Sequence, residues 1–457
     1  MQEQTSPIEM ERLLIQPLTR GSLRYYSFIA VLIGIVSVGV YAYITQLQQG
    51  LVVTGMRSTV LWGLYITNFV FFIGISHAGT LISAILRVTG ADWRRPITRM
   101  AEAITVFALM VGASMVLIDI GRPDRLLNLL QYGRLQSPLI WDFISITTYL
   151  TGSLLYLYLP LLPDLAALRN SESLPPWKRK ICSILSLRWA GTEKQKVFLE
   201  KAIFIMAIII IPVAVSVHTV VSWVFGMTLR TGWNSTIFGP YFVVGAIFSG
   251  IAAILAAMAF FRRYYHLEAF ITPQHFKNIA KLLLALDIAY VYFTISEYLT
   301  ASYKGETMEG QLLSALFTGP YGNLFLFFEL GGLVAPALLL VYGLRKGKHP
   351  ILAFTVAAIL VNMAMWVKRY IIVVPTLALP QLAYDWGSYT PTWVEVSITA
   401  AAFAGFILLY TVFSRFFPIV SIWETTGEAH VRETLPATLP RSLHAGNITR
   451  QSSGTEE

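Results

Sequence analysis

Charged side chains are scarce in this sequence. Only 13% of its 457 residues are Asp, Glu, Lys or Arg, whereas 55% are hydrophobic. A soluble domain is roughly 25% charged, and a soluble chain of this length would divide into domains with polar surfaces and linkers. Here apolar stretches long enough to cross a bilayer recur between residues 26 and 415. The scarcity of charge therefore excludes a soluble fold and predicts a multi-pass membrane protein.

Cysteine is almost absent, since Cys182 is the only one. The chain can form no internal disulfide, and it lacks the thiolates that an iron–sulfur cluster or a cysteine-based zinc site needs. The residues before the first apolar stretch include Glu3, Glu9 and Glu11, and they do not form the basic segment of a signal peptide. We expect neither a cluster nor a metal site in this chain, and no cleaved leader.

Ten segments are long and apolar enough to cross a hydrocarbon core of roughly 30 Å, which takes about 20 residues. None shows the alternating pattern of a β-barrel strand, so we predict helices. They lie at residues 26–47, 58–88, 97–118, 139–162, 200–227, 239–261, 278–302, 320–343, 350–372 and 393–415. The predicted fold is an all-α integral membrane protein with ten transmembrane helices over residues 26–415, between a segment 1–25 and a polar tail 416–457.

Lysine and arginine are unevenly divided between the two sides of the predicted helices. When the basic residues near helix ends are counted with the adjoining loop or terminal segment, 26 of the 34 belong to the terminal segments and the loops after even-numbered helices. The other 8 belong to the loops after odd-numbered helices. Because basic residues mark the cytoplasmic side, we predict that both termini and the long loop 163–199 are cytoplasmic. The net charge of +9 has the same explanation, and we expect no nucleic-acid partner.

Ionisable residues inside the predicted helices are the most informative, because each costs about 2.5–3.5 kcal/mol at the centre of a membrane helix. Glu102 is predicted about two turns from the cytoplasmic end of helix three, and His77 and Asp287 near the midplane of helices two and seven. The outer half, or its rim, holds Asp119, Arg122, Asp142, His218, Glu297, Glu329, Lys368, Arg369 and Glu395. Because the outer loops are themselves poor in charge, this concentration indicates a site in the outer half.

Several of these residues also have structural explanations. His77 is compatible with a histidine that only packs, Asp119 with a turn cap, and Asp142 with a carboxylate at a helix N-terminus. Side chains near helix ends can extend to the membrane surface. Those near enough are Arg122, Lys368, Arg369 and Glu395. Asp287 and Glu329 lie deeper and are less easily explained in this way.

Four kinds of function fit such residues. A quinone site needs a proton donor or acceptor beside each quinone oxygen. A haem b site needs two histidines at matching depth, but the estimated depths of His77 and His218 differ by several ångströms, which disfavours haem. A secondary transporter needs interrupted helices, and Pro212 and Pro336 keep that function open.

The fourth kind of function is a proton conduit, which needs carboxylates at successive depths. Glu102, Asp287 and Glu329 could form one. Asp287 and Glu329 are predicted at comparable depths on adjacent helices, where water could join them. The alternative is that one of them pairs with Lys368 or Arg369 and stabilises the packing of the helices.

Three segments carry a resemblance to a known family. They are residues 73–86 (IGISHAGTLISAIL), 118–123 (IDIGRP) and 137–142 (SPLIWD). They resemble the NrfD/PsrC family, the membrane subunits of polysulfide-reductase-like quinone oxidoreductases. Residues 216–222 (SVHTVVS) and 235–242 (STIFGPYF) are similar to the longer members in alternative complex III, called ActC, with a paralogue ActF. One departure is Asp119, two residues before Gly121, because ActC members carry histidine before Gly-Arg-Pro.

The resemblance implies two four-helix bundles, formed by helices 2–5 and 6–9 and flanked by helices 1 and 10. It also implies a quinone pocket in the first bundle near the outer face, where an extracytoplasmic iron–sulfur subunit docks and receives electrons. The other expected partners are a multihaem cytochrome c, further membrane subunits and membrane lipid, in the inner membrane of a bacterial cell. We expect menaquinone or ubiquinone to bind, and no haem or iron–sulfur cluster to be held by this chain.

The expected function is that of the quinol-oxidising membrane subunit of an oxidoreductase similar to alternative complex III, with a route for proton translocation. The expected catalytic residues are His77, Asp119 and Asp142, and the expected quinone-binding residues are these three with Arg122 and His218. The expected proton path comprises Glu102, Asp287, Glu329, Lys368 and Arg369. The loop 119–142 is expected to dock the iron–sulfur subunit, with Arg122 paired to Asp119 or to a carboxylate of the partner. The alternative function is a secondary transporter or ion channel without redox partners.

Overall fold

The computed structural model describes residues 14–19, 21–228, 230–345, 347–382 and 385–425, and every regular element in these ranges is helical. The predicted terminal segments 1–25 and 416–457 lie largely outside the described residues. The ten long helices are α1 (Leu23–Gln49), α2 (Leu64–Val88), α3 (Arg95–Asp119), α4 (Pro138–Tyr158), α5 (Glu193–Gly226), α6 (Phe238–Tyr264), α7 (Pro273–Lys304), α8 (Gly322–Arg345), α9 (Pro350–Ala378) and α10 (Trp393–Phe416). Shorter helices lie at Leu126–Tyr132, Leu161–Asn170, Pro176–Leu185 and Thr307–Phe317.

Nine of the long helices, all except α4, are individually long and apolar enough to cross a membrane. α4 meets this test only together with the next helix, Leu161–Asn170, from which it is bent by 45°. The bend lies at Pro160, whose nitrogen carries no hydrogen and cannot continue the helical hydrogen bonds. Over the described ranges the chain therefore has nine spans, or ten if the bent pair is one span. This agrees with a multi-pass all-α membrane protein.

Three helices extend beyond their predicted bounds by five residues or more. α5 begins at Glu193 and α7 at Pro273, because Thr192 and Thr272 form capping boxes that satisfy the free N–H groups of the first turn. α9 continues to Ala378, past the predicted end at residue 372. The predicted loop 163–199 consequently contains most of Leu161–Asn170, all of Pro176–Leu185 and the first turns of α5.

α8 is irregular near its middle. Its residues Phe327–Val334 form a π-helical turn, with α-helix on either side. Pro336 cannot donate a hydrogen bond to the carbonyl of Gly332 four residues earlier. π-helical turns are frequent at functional sites, and Glu329 lies in this one.

The helices pack around α2. It contacts α3, α5, α6 and α9, and nearly all of its side chains are buried. α6 contacts α2, α5, α7 and α9, while α4 packs on α3 and α5, and α8 on α7 and α9. α1 lies at the periphery and packs along α10, and its free surface exposes apolar side chains such as Val31 and Ile33. We call the end of the molecule at which α1 begins the termini face, and the opposite end the distal face.

The residues after α10 fold back over the termini face, and we call residues 417–425 the C-terminal segment. Arg99 of α3 and Asp164 form an ion pair at 2.5 Å, and each side chain is only 1% exposed. Asp164 also accepts hydrogen bonds from the backbone N–H groups of Ile422 (3.0 Å) and Trp423 (2.9 Å). The C-terminal segment is thus attached to a fully buried ion pair.

Glu424 attaches the same segment to α2. Its carboxylate lies 2.7 Å from Arg87 and 3.4 Å from Arg94. Burial by itself would raise the pKa of Glu424, but the positive charges of Arg87 and Arg94 outweigh this effect, so its pKa lies below the ordinary value. Glu424 is therefore ionised and paired at neutral pH.

Candidate functional site

His77 lies at the middle of α2 and is completely buried. Its Nδ1 is 2.8 Å from the carbonyl oxygen of Ile73 on the same helix, and its Nε2 contacts the carbonyl oxygen of Ala214 on α5. A neutral imidazole carries one N–H group, so it can donate to only one of these oxygens at a time. His77 therefore connects α2 to α5 through a hydrogen bond that a change of tautomer or a second proton would alter.

His218 of α5 packs directly against His77, with 4.1 Å between the ring centroids. We call these two residues the histidine pair. The estimated depths of the two residues, which differ by several ångströms, gave no indication of this contact. The contact does not restore the haem hypothesis, because axial histidines lie on opposite faces of a haem, whereas these rings touch each other.

A column of polar side chains connects the histidine pair to the termini face. Tyr149 packs on the His77 ring at 5.0 Å and donates a hydrogen bond of 3.1 Å to the carbonyl oxygen of Ser76. Nearer the termini face, the buried carboxylate of Glu102 accepts a hydrogen bond of 2.7 Å from Ser83. Arg87 is close enough to act electrostatically on Glu102. The sequence singled out Glu102 correctly as buried, but it gave no signal for the tyrosine.

Asp119 and Asp142 lie at the distal ends of the neighbouring helices α3 and α4. Asp119 is the last residue of α3, and Asp142 lies in the early turns of α4. Both residues are partly buried, and the Oδ1 atom of each is shielded from solvent without a hydrogen-bond partner among the described residues. A shielded carboxylate oxygen costs free energy unless something donates to it. Both oxygens are therefore available to a ligand that carries a donor.

Arg122 does not join these carboxylates. Its guanidinium makes two hydrogen bonds, of 3.0 and 2.9 Å, to Asp124, and both side chains are about three-fifths exposed, at 62% and 59%. The carboxylate of Asp124 raises the pKa of Arg122, and the guanidinium of Arg122 lowers the pKa of Asp124. The predicted pairing of Arg122 with Asp119 is not what this structure shows.

Glu395 of α10 has a structural role on the distal face. It is completely buried and accepts hydrogen bonds of 2.6 Å from the N–H of Gly55 and 2.6 Å from the hydroxyl of Tyr389. The prediction that Glu395 extends to the membrane surface is therefore wrong. These bonds join the loop between α1 and α2 to the start of α10.

Lys368 of α9 lies in an aromatic cage inside the protein. Its ammonium group is 4.7–5.2 Å from the ring centroids of Tyr241, Tyr298 and Phe328, and it donates a hydrogen bond of 2.6 Å to the hydroxyl of Tyr298. Cation–π contacts of this kind partly replace lost hydration. Lys368 is only 2% exposed, so the explanation that it extends to the membrane surface is wrong.

Arg369, the next residue of α9, lies close to α5 and α6. Its guanidinium lies 5.1 Å from the ring centroid of Phe242, and it is close to both His218 and Tyr290. It is 1% exposed, so it too does not extend to the surface. α9 continues to Ala378, and both basic residues therefore lie well inside the helix.

Glu329 and Asp287 have different surroundings. Glu329 is close enough to Lys368 to interact with it electrostatically. Asp287 is buried, and its Oδ1 has no partner among the described residues. α7 begins five residues earlier than predicted, and α8 has a π-helical turn at Glu329. The alternative prediction, a carboxylate beside Lys368, fits Glu329.

A cavity of about 60 Å³ adjoins Lys368 on its distal side. Its lining includes Ser235, Tyr241, Glu297 and Tyr298, and Ser235 donates a hydrogen bond of 2.5 Å to Glu297. A polar cavity of this size has room for a few water molecules. The sequence placed Glu297 in the outer half but did not show that it borders a cavity.

Comparison with known proteins agrees with the resemblance read from the sequence. Residues 52–381 match the family model described as "Polysulphide reductase, NrfD". A candidate membrane subunit of dimethyl sulfoxide reductase from Halobacterium salinarum is 28% identical over 84% of this chain and 89% of its own length. A selenate reductase subunit of Mesobacillus selenatarsenatis is 24% identical over 89% and 96%. The Hdr-like menaquinol oxidoreductase integral membrane subunit of Archaeoglobus fulgidus is 23% identical over 85% and 87%.

The match covers eight of the ten long helices, from the loop before α2 to the loop after α9, and it includes all of α2–α5, where the histidine pair lies. The alignments cover 89%, 96% and 87% of these relatives' own lengths. The chain belongs to the NrfD family of polysulphide reductase membrane subunits.

Proposed function

We propose that this chain is the membrane subunit of a quinol-oxidising complex, and that quinol is oxidised at the distal end of α2–α5. The observation that carries the proposal is the pair of shielded, unpartnered carboxylate oxygens of Asp119 and Asp142 on adjacent helices. A quinol has two hydroxyl groups that can donate to such oxygens. The menaquinol oxidoreductase subunit of Archaeoglobus among the relatives supports this substrate class.

Oxidation of a quinol to a quinone releases two electrons and two protons, one from each hydroxyl group. Asp119 and Asp142 are proposed to accept the hydroxyl hydrogen bonds and then the protons, as general bases. The electrons pass to an iron–sulfur cluster of a partner subunit at the distal face. This chain itself supplies binding, orientation and proton transfer.

The histidine pair is proposed to act behind the two carboxylates. Both ring nitrogens of His77 already face carbonyl oxygens, so His77 is better placed to receive a proton than to bind quinol directly. A second proton would let the ring donate to both oxygens at once, which offsets part of the cost of burying the charge.

The partner is proposed to cover the loop 119–142. This loop carries the exposed pair Arg122–Asp124, and its short helix Leu126–Tyr132 exposes Leu127 and Leu130 by 61% and 59%. A mixture of exposed apolar side chains and charged groups is typical of a protein interface. An iron–sulfur subunit on this surface would receive the electrons close to the proposed quinol site.

The arrangement of the helices in two bundles, the orientation in the membrane and the kind of assembly also belong to this proposal. The contacts α2–α3, α3–α4, α4–α5 and α5–α2 support a first four-helix bundle, and the contacts α6–α7, α7–α8, α8–α9 and α9–α6 support a second. The uneven division of Lys and Arg supports cytoplasmic termini in the inner membrane of a bacterial cell. Segments 216–222 and 235–242 support an assembly similar to alternative complex III, with a multihaem cytochrome c and further membrane subunits as partners.

Proton translocation is proposed to use the buried ionisable groups of both bundles. These are Glu102, Asp287, Glu329, Lys368 and Arg369. Glu102 lies nearer the termini face and Lys368 beside the distal cavity, so the groups lie at different levels between the two faces. Ionisable residues within membrane helices commonly mark such proton routes.

The proposal is tested with Asp119→Asn and Asp142→Asn in the purified complex. Asparagine keeps the shape of aspartate but cannot accept a proton as a base, so we expect quinol oxidation to fall by about 100-fold, within the usual range for general-base loss. The matched control is Asp92→Asn, which removes the same charge from a side chain that is 70% exposed and lies outside the loop 119–142. Wild-type turnover in a fully assembled Asp119→Asn, Asp142→Asn double variant would contradict the proposal.

A further inference from the structure

Arg369 is a buried cation whose hydrogen bonds are incomplete. Its Nε and Nη2 atoms are shielded from solvent and have no partner among the described residues. The guanidinium reaches from α9 as far as α2, because a methyl group built on Gly74 would lie only 3.6 Å from Nη2. Arginine stays protonated in proteins, so these N–H groups are permanent donors. Leaving such donors unpaired in a membrane interior is costly.

His218 is the second group with unmet hydrogen bonds at the same place. Neither of its ring nitrogens has a partner in the described part of the chain, although the residue is completely buried. Phe242 of α6 packs against both groups, with its ring centroid 5.5 Å from that of His218 and 5.1 Å from the guanidinium carbon of Arg369. The unpartnered donors of Arg369 and the unpartnered ring nitrogens of His218 therefore belong to two residues that lie against the same ring, near where α2, α5, α6 and α9 meet.

On its other side, Arg369 borders a chain of polar groups in the second bundle. It lies close to Tyr290, whose ring centroid is 4.7 Å from that of Tyr241. The Lys368 ammonium lies over the Tyr241 ring, beside the distal cavity. Arg369 thus lies close both to the histidine pair and to this chain of polar groups.

We propose that water molecules bind between His218 and Arg369, and that this hydrated junction joins the histidine pair to the Tyr290–Tyr241–Lys368 chain. Water suits these unpartnered nitrogens, because it can accept a hydrogen bond from the guanidinium and can both donate a hydrogen bond to the imidazole and accept one from it. A water molecule there takes a proton on one side and releases another on the opposite side, so it is unchanged overall. The transport role rests on the proposed quinol oxidation, whereas the presence of water does not.

The water site is tested first by its occupancy. In a cryo-EM map of the complete complex that resolves ordered water, we expect density within about 3.5 Å of a His218 nitrogen and of Arg369 Nε or Nη2. In the Arg369→Met variant this density should be lost. An empty site in the wild-type map, with the guanidinium bonded to a protein carbonyl, would overturn the inference. A bromide signal at this position in crystals grown in bromide would also overturn the inference, because the site would then bind an anion and not water.

The connection is tested with Arg369→Gln and Tyr290→Phe in complexes reconstituted into vesicles. The readout is the number of protons moved per electron, because a change in quinol turnover alone does not alter this ratio. We expect both variants to lower the ratio at least twofold, and Arg369→Lys, which keeps a cation, to lower it less. Tyr290→Phe removes a single hydroxyl group, so it remains informative if Arg369→Gln does not assemble.

The outcomes separate this inference from the proposed function. Assembled Arg369→Gln and Tyr290→Phe complexes with the wild-type ratio would overturn the connection, even though quinol is oxidised. A wild-type complex that oxidises quinol without moving protons would also overturn the connection through Arg369. A wild-type complex that does not oxidise quinol would refute the proposed function, and the map would still decide whether water binds between His218 and Arg369.

Discussion

Replacing Asp164 by asparagine should release the C-terminal segment from the termini face. The ion pair of Asp164 with Arg99 has both side chains 1% exposed, and Asp164 also accepts two backbone N–H groups of the segment. Removing one partner of a buried ion pair costs roughly 3–5 kcal/mol. Asparagine keeps one carbonyl oxygen that can still accept from the segment, so we expect the lower end of this range, about 3 kcal/mol.

A loss of about 3 kcal/mol corresponds to a roughly 100-fold higher population of the detached segment, since every 1.4 kcal/mol is tenfold. Hydrogen exchange measures this population through the amides of Ile422 and Trp423, which donate to Asp164. Both amides should exchange about 100-fold faster in Asp164→Asn than in the wild type. This assay needs no reversible unfolding of the whole membrane protein.

The matched control is Asp124→Asn, which breaks an exposed ion pair of the same residue types. Exposed pairs contribute little to stability because both ions remain hydrated. We expect no change in the exchange of the C-terminal amides in this variant. Equal exchange rates in Asp164→Asn and Asp124→Asn would refute the reasoning that the buried pair holds the segment.

Glu424, Gly79 and Leu127 provide three further predictions. The pKa of Glu424 is lowered because the positive charges of Arg87 and Arg94 outweigh the effect of burial. Glu424 therefore stabilises the attachment of the C-terminal segment above its unfolded-state pKa, and this stabilisation is lost as the pH falls through the lower folded-state value. Protease cleavage of the C-terminal segment should therefore increase in acid, and Glu424→Gln should remove this pH dependence; an unchanged profile in that variant would argue against it. Gly79→Ala should prevent normal assembly, because the added methyl group would overlap the carbonyl oxygen of Ala101, and normal yield by size-exclusion chromatography would contradict this. A photoreactive residue at Leu127 should crosslink to an iron–sulfur subunit in the intact complex, whereas crosslinks to lipid alone would place that surface in the membrane.

The sequence was sufficient to predict the kind of fold because a membrane leaves few choices. Backbone groups in lipid must be paired within helices, so long apolar stretches predict spans directly. The rule predicts the segment 139–162 less accurately. Hydropathy does not register the bend at Pro160, which leaves α4 as a span only in combination with the next helix.

The sequence identified many residues of the candidate site, but it did not predict which of them contact each other. Depth estimated by counting residues separated His77 from His218, yet their rings are in contact. The same counting put Lys368 near a helix end, although α9 continues to Ala378 and an aromatic cage surrounds the ammonium group. Contacts between helices depend on tilt and on irregular turns, such as the π-helical turn beside Glu329, and periodicity in one chain carries no information on either.

The central claim is that quinol binds at the distal end of α2–α5, and the most direct measurement is the position of a bound quinone in a cryo-EM map of the complete complex. We expect density for the ring between α3 and α4, with one quinone oxygen near Asp119 and the other near Asp142. Ring density in the second bundle, in the cavity beside Lys368 and Glu297, would contradict the claim.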